Sequence, residues 1–147
     1  MVWLYLVVAV AAGALLPLQV GVNAELSHWV NDPLRAAFVS FLIGTVALLI
    51  IVLFVRKPLP SFARLADVPW WAWTGGLIGA FYVAGSIVLG PKLGAATFIA
   101  AIVAGQAVAS VVFDQYGWVG FKEHHLSPAR ALGMVLVVGG VTLVRFF

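Results

Sequence analysis

The chain has 147 residues, 64% of them hydrophobic and 9% charged, against roughly 45–50% apolar and about 25% charged in an ordinary soluble domain. Its 8 Lys and Arg and 5 Asp and Glu residues are too few to clothe so apolar a core, which excludes soluble enzymes and nucleic-acid-binding proteins and leaves an integral membrane protein. The net charge of +3 then reports loop residues, and the absence of cysteine excludes disulfides, thiolate metal sites and cysteine nucleophiles.

Crossing about 30 Å of hydrocarbon takes roughly 20 helical residues, and the uncharged stretches predict five such helices in one all-α transmembrane domain spanning 1–147. The first is Val2–Ala24. It lacks a basic leader and carries Gln19 and Asn23 where a signal-peptide cleavage site would need small residues, so it is expected to be retained. Gln19 and Asn23 stand one turn apart on one face, which Ser27 continues if the helix passes Glu25, and Pro17 just before them is expected to kink the backbone. The second span, Leu34–Val55, is closed by Arg56-Lys57-Pro58-Leu59-Pro60, a loop clamp. The third, Trp70–Gly90, places Gly75, Gly76, Gly79 and Ala80 for close helix packing and puts Tyr82 and Ser86 on one face. Gly90-Pro91-Lys92 reads as a tight turn, with Lys92 an interfacial anchor, into the fourth span, Leu93–Phe113. There Gln106, Ser110 and Asp114 recur every fourth residue as a second polar stripe. The fifth span, Pro128–Phe146, has Ser127 as N-cap, Pro128 in the first turn, and a small-residue stripe of Ala129, Gly133 and Gly140. Only 14 residues separate Arg130 from Arg145, so both stems are expected to snorkel to the interface.

Tryptophan placement agrees with these spans, because Trp3, Trp29, Trp70, Trp71, Trp73 and Trp118 all fall at predicted helix ends, where headgroups meet acyl chains. Counting cations by side puts Arg56, Lys57, Arg64, Lys122 and Arg130 against Arg35, Lys92 and Arg145. That small bias favours a cytoplasmic N-terminus and is compatible with insertion both ways.

Polar groups in hydrocarbon are costly unless paired or wet, so the candidate substrate-binding residues are Gln19, Asn23, Tyr82, Ser86, Gln106 and Ser110. The competing role for the amides is hydrogen-bonded glue between helices. Glu25 and Asp114, at helix ends, are candidates for coupling to protons or simply solvated carboxylates, while Gly75, Gly79, Gly133 and Gly140 are candidates for packing within a chain or between two. The loop pair His124-His125 lacks carboxylate partners for a metal, and no cofactor motif or intramembrane acid/base pair is present, so neither a cofactor nor an enzyme is expected.

Several segments together resemble a known family: Pro17-x-Gln19-x-x-x-Asn23-x-x-Leu26, Trp73-x-Gly75-Gly76-x-x-Gly79-Ala80-x-Tyr82-Val83, Leu93-Gly94-Ala95-Ala96-Thr97, Gly105-Gln106-x-x-x-Ser110-x-x-x-Asp114-x-x-Gly117, and Arg130-x-x-Gly133 with Gly139-Gly140-Val141. The sequence is similar in these, over nearly its whole length, to the YdcZ-like family (domain of unknown function 606) of the drug/metabolite transporter superfamily. The resemblance implies a bacterial inner-membrane protein related to the small multidrug resistance exporters and paired as an antiparallel, dual-topology homodimer. Those exporters exchange protons for cations at a glutamate midway along the first helix, whereas residues 2–18 here hold no carboxylate. The expected function is therefore secondary transport of a small neutral or anionic, aromatic organic molecule by alternating access in a dimer. A small-solute or ion channel and a non-transporting membrane subunit are the alternatives. Expected partners are the lipid bilayer, the small-molecule substrate and a second copy of the chain, with no nucleic acid.

Overall fold

The computed structural model describes residues 1–56, 58 and 60–147. Lys57 and Leu59, which enter the charge count and the proline-flanked clamp above, lie outside the described residues. The described residues contain helices and no strands, and five helical segments are long and apolar enough to cross a membrane. The chain divides into two compact units, Met1–Pro91 and Lys92–Phe147.

The first unit opens with α1 (Val2–Val30), which continues past Ala24, the end expected from the sequence. Glu25 marks where hydrocarbon ends, but nothing from Glu25 to Val30 breaks a helix, and the stop is Asn31 in the left-handed region (φ 55°), its N–H donating to Ser27 O. Pro17 sits inside this helix without ending it. Asp32 then caps α2 (Pro33–Val55), its Oδ1 accepting from Arg35 N at 2.7 Å with Pro33 in the first turn. A two-residue link folds α1 and α2 into an antiparallel hairpin. A short α3 (Phe62–Ala66), capped by Ser61, and a 3-10 turn at Trp70–Trp73 lead into α4 (Thr74–Leu93).

The core of this unit is small. Ala36 and Ala37 of α2 pack with Val83 and Ile87 of α4, flanked by Leu26, Val30 and Tyr82. At Gly90 an added Cβ would lie 2.5 Å from Val20 Cγ1, so α4 approaches α1 as only glycine permits. On α2 every residue from 41 to 55 is exposed, an apolar surface untenable in water and ordinary against lipid.

The expected turn at Gly90-Pro91-Lys92 is corrected: α4 runs through Pro91 to Leu93, and the chain turns at Gly94 (φ +80°). Proline in a last turn forfeits one hydrogen bond there without stopping the helix. Lys92 thus occupies the last turn of α4, where a cation meets the negative end of the helix dipole.

In the second unit α5 (Ala95–Tyr116) and α6 (Pro128–Phe146) pack together. The expected limits Leu93–Phe113 shift, because Gly94 precedes α5 and its end is Gly117 (φ +61°), where a Cβ would also come within 2.9 Å of Glu123 Cγ. Ser127 caps α6, its Oγ accepting from Arg130 N at 3.3 Å.

Candidate functional site

Along α2, the residues Ser40, Phe41, Gly44, Thr45 and Leu48 recur at helical spacing and so share a face. With Gln19 of α1 and Val83 of α4 they line a pocket of about 220 Å³ in the first unit. Its polar groups are an amide and two hydroxyls, its walls otherwise apolar, and none of its lining residues ionises. Residues 2–24, 36–55 and 74–91 contain no acidic or basic side chain, so no fixed charge of these spans reaches it.

One turn beyond Gln19, Asn23 is 4% exposed and its Nδ2 has no hydrogen-bond partner. The Tyr82 hydroxyl, on the residue next to Val83, is equally buried and unpartnered. A buried polar group left unpaired costs about 1–3 kcal/mol, and native structures contain few of them. Ser86, 3% exposed, differs because its Oγ donates to Val83 O at 2.7 Å, as Ser27 Oγ donates to Ala24 O at 2.8 Å. Asn23 and Tyr82 therefore retain donor capacity that the two serines have already used on the backbone.

The structure brings Gln19, Asn23, Tyr82 and Ser86 into the first unit and adds Ser40, Gly44 and Thr45, which the sequence reading missed. Their signal was present: they are the only hydroxyl and glycine positions in the apolar run 36–55. It is weak because serine and threonine can bond back to their own helix and so signal no cavity.

Glu25 is exposed, its Oε1 accepting from Trp29 Nε1 at 3.2 Å, an arrangement of the interface. Of the four candidate packing glycines, Gly79 has a neighbour, its Cβ position 3.6 Å from the Phe41 ring. Among the described residues nothing lies within 4 Å of those positions at Gly75, Gly133 and Gly140.

Gln106 and Ser110 belong to the second unit, both exposed, with Ser110 Oγ donating to Ala107 O at 2.9 Å. Asp114 is half-buried and accepts from the Arg130 guanidinium, whose other nitrogen donates to His124 O at 2.9 Å. Arg130, expected to snorkel, is thus turned back on the end of α5. His124 N–H donates to Asp114 O at 2.8 Å, and Gln115 bridges the same loop, accepting from Leu126 N at 2.8 Å while its Nε2 lies 3.2 Å from His125 Nδ1. No group of three or more acidic, histidine or cysteine side chains able to hold a metal occurs among the described residues.

Comparison with known proteins agrees with a chain of apolar membrane-spanning helices. The family described as "Putative inner membrane exporter, YdcZ" matches residues 4–143. The inner membrane protein YdcZ of Escherichia coli (strain K12) is 33% identical over 141 residues, covering 92% of this chain and 90% of the relative. No solved structure matches. With five helices able to cross the bilayer, the protein is a multi-pass inner-membrane protein, and it belongs to the YdcZ family of membrane exporters.

Proposed function

We propose that the protein exports a small neutral or anionic organic molecule with an aromatic or apolar body, by alternating access between two copies of the chain packed antiparallel. The observation that carries this reading is the first unit's pocket, lined by the polar Gln19, Ser40 and Thr45 together with Phe41, Leu48 and Val83, with no ionisable group among them. Exchange of cations for protons needs a carboxylate at the site, and the pocket's lining residues include none. A single ring fits the volume, since about 220 Å³ falls below the roughly 300–1,000 Å³ of pockets that take drug-sized ligands. Two copies in opposite orientation supply the inverted repeat on which many carriers are built, and Gln106 and Ser110, exposed on α5, are polar groups available to a second copy.

The test is flux through the full chain reconstituted in liposomes, with radiolabelled single-ring amides and carboxylates. A carrier gives saturable uptake, and Gln19→Leu or Thr45→Val removes it without lowering yield or melting temperature. Non-saturating flux orders of magnitude faster would make the protein a channel. No flux, with another protein co-purifying, would make it a subunit.

A further inference from the structure

We infer that the size of molecule the first unit's pocket accepts is set on α2 by Gly44, whose missing side chain leaves room, and by Phe41, a wall braced against α4; this rests on the exporter reading and names the selectivity of its site. Both residues line the pocket, and Gly44 stands at the centre of the α2 face that forms it, one turn after Ser40 and one turn before Leu48. Among the described residues nothing lies within 4 Å of where a Cβ at Gly44 would stand. The Phe41 ring, by contrast, rests on α4, its Cζ 3.6 Å from the Cβ position of Gly79.

Glycine is required in a helix where another backbone approaches closely or where φ is positive. Gly44 meets neither condition, since its Cβ position is open and its φ is not among the positive ones, and glycine is disfavoured against alanine in a helix interior. What the missing side chain leaves is space in the pocket, which a side chain there would take without striking the protein. Phe41 acts in the opposite sense. Its ring occupies the wall and cannot withdraw toward α4 past Gly79, so shortening the side chain enlarges the pocket. In an apolar pocket one extra or missing methylene changes discrimination by about 10–200-fold, so a few carbons at either position shift which body is held. Neither residue carries a polar group, so such changes alter the preference for size and leave the preference for headgroup to Gln19, Ser40 and Thr45.

The experiment titrates butyramide, benzamide and naphthamide, and the three matching carboxylates, against the full chain in detergent by saturation-transfer NMR. Wild type binds the single-ring member of at least one series saturably and the two-ring member at least about tenfold more weakly. Phe41→Ala binds the two-ring member at least about tenfold more tightly than wild type does, and Phe41→Leu shifts the same way by less. Gly44→Val weakens the single-ring member at least about tenfold and the straight-chain member by less. Gly44→Ala acts in the same direction by a smaller factor, and neither glycine variant lowers the melting temperature or changes the oligomeric state. Size preference unchanged in both Phe41→Ala and Gly44→Val overturns the inference, as does equal weakening of all three sizes, the mark of a merely structural change. A lower melting temperature or a lost dimer in Gly44→Ala, with size preference unchanged, overturns it too and assigns Gly44 to packing. Absence of binding by all six compounds, in wild type and in Phe41→Ala, removes the pocket as a ligand site and the inference with it. Saturable liposome flux with a size limit that neither position moves overturns the inference and leaves the exporter standing, whereas absence of all flux removes the exporter itself.

Discussion

Gly90 holds α4 against α1, with no room for a methyl group beside Val20 Cγ1. Gly90→Ala is therefore expected to destabilise the protein by about 1–3 kcal/mol, the usual cost of overpacking, seen as a lower melting temperature that Val20→Ala partly restores. Gly133 is the opposite case, since its Cβ position is open. Within one chain Gly133→Ala should leave the melting temperature unchanged or raise it, alanine being favoured over glycine in a helix by about 1 kcal/mol. If crosslinking between chains falls while the melting temperature holds, Gly133 packs against a second copy. Spacing of small residues reveals where backbones are able to approach, not where they do. Gly90 was overlooked because, beside Pro91, it reads as a helix end.

At the scale of elements, the α5–α6 hairpin depends on a clamp that joins the end of one helix to the start of the next through Asp114, Arg130, Gln115 and the loop backbone. Asp114→Ala leaves the half-buried Arg130 without its carboxylate and is expected to cost about 1 kcal/mol, above the least exposed-pair values. The check is faster amide hydrogen exchange at His124 and Leu126. Gln115→Leu should loosen the same loop by removing the acceptor of Leu126 N–H. The cap Ser127-Pro128 was legible because it acts within a turn of itself, whereas Asn31-Asp32-Pro33, which acts at the same range, was passed over. The ends of α1 and α5 were misplaced because charge marks where hydrocarbon stops, while capping marks where the helix stops. Glu25 and Asp114 satisfy the first condition in the interior of a helix.

For the molecule as a whole, most large apolar side chains face outward, from Trp3 and Leu4 on α1 to Phe54 on α2 and Leu136 on α6. Lipid is the solvent for that surface, and the loop cations count five on one side against three on the other. Dual topology makes a concrete prediction in a chain without cysteine. Ser61→Cys, on the exposed cap of α3, should be labelled in about half of the molecules by an impermeant maleimide on intact cells, and in all of them after permeabilisation. Labelling of all or none would establish one orientation and require a parallel assembly or a different partner.

Hydropathy and capping alone determined the class, the five helices and the uncharged character of residues 2–24, 36–55 and 74–91, because each depends on residues within one or two turns. The tertiary structure decided which residues meet: Gln19 with Ser40 and Thr45 around one pocket, Asp114 with Arg130, Val20 with Gly90. In water a core face contrasts with a polar face and fixes helix rotation. In a bilayer lipid is as apolar as the core, so rotation and register rest on close packing and a few hydrogen bonds that periodicity does not encode.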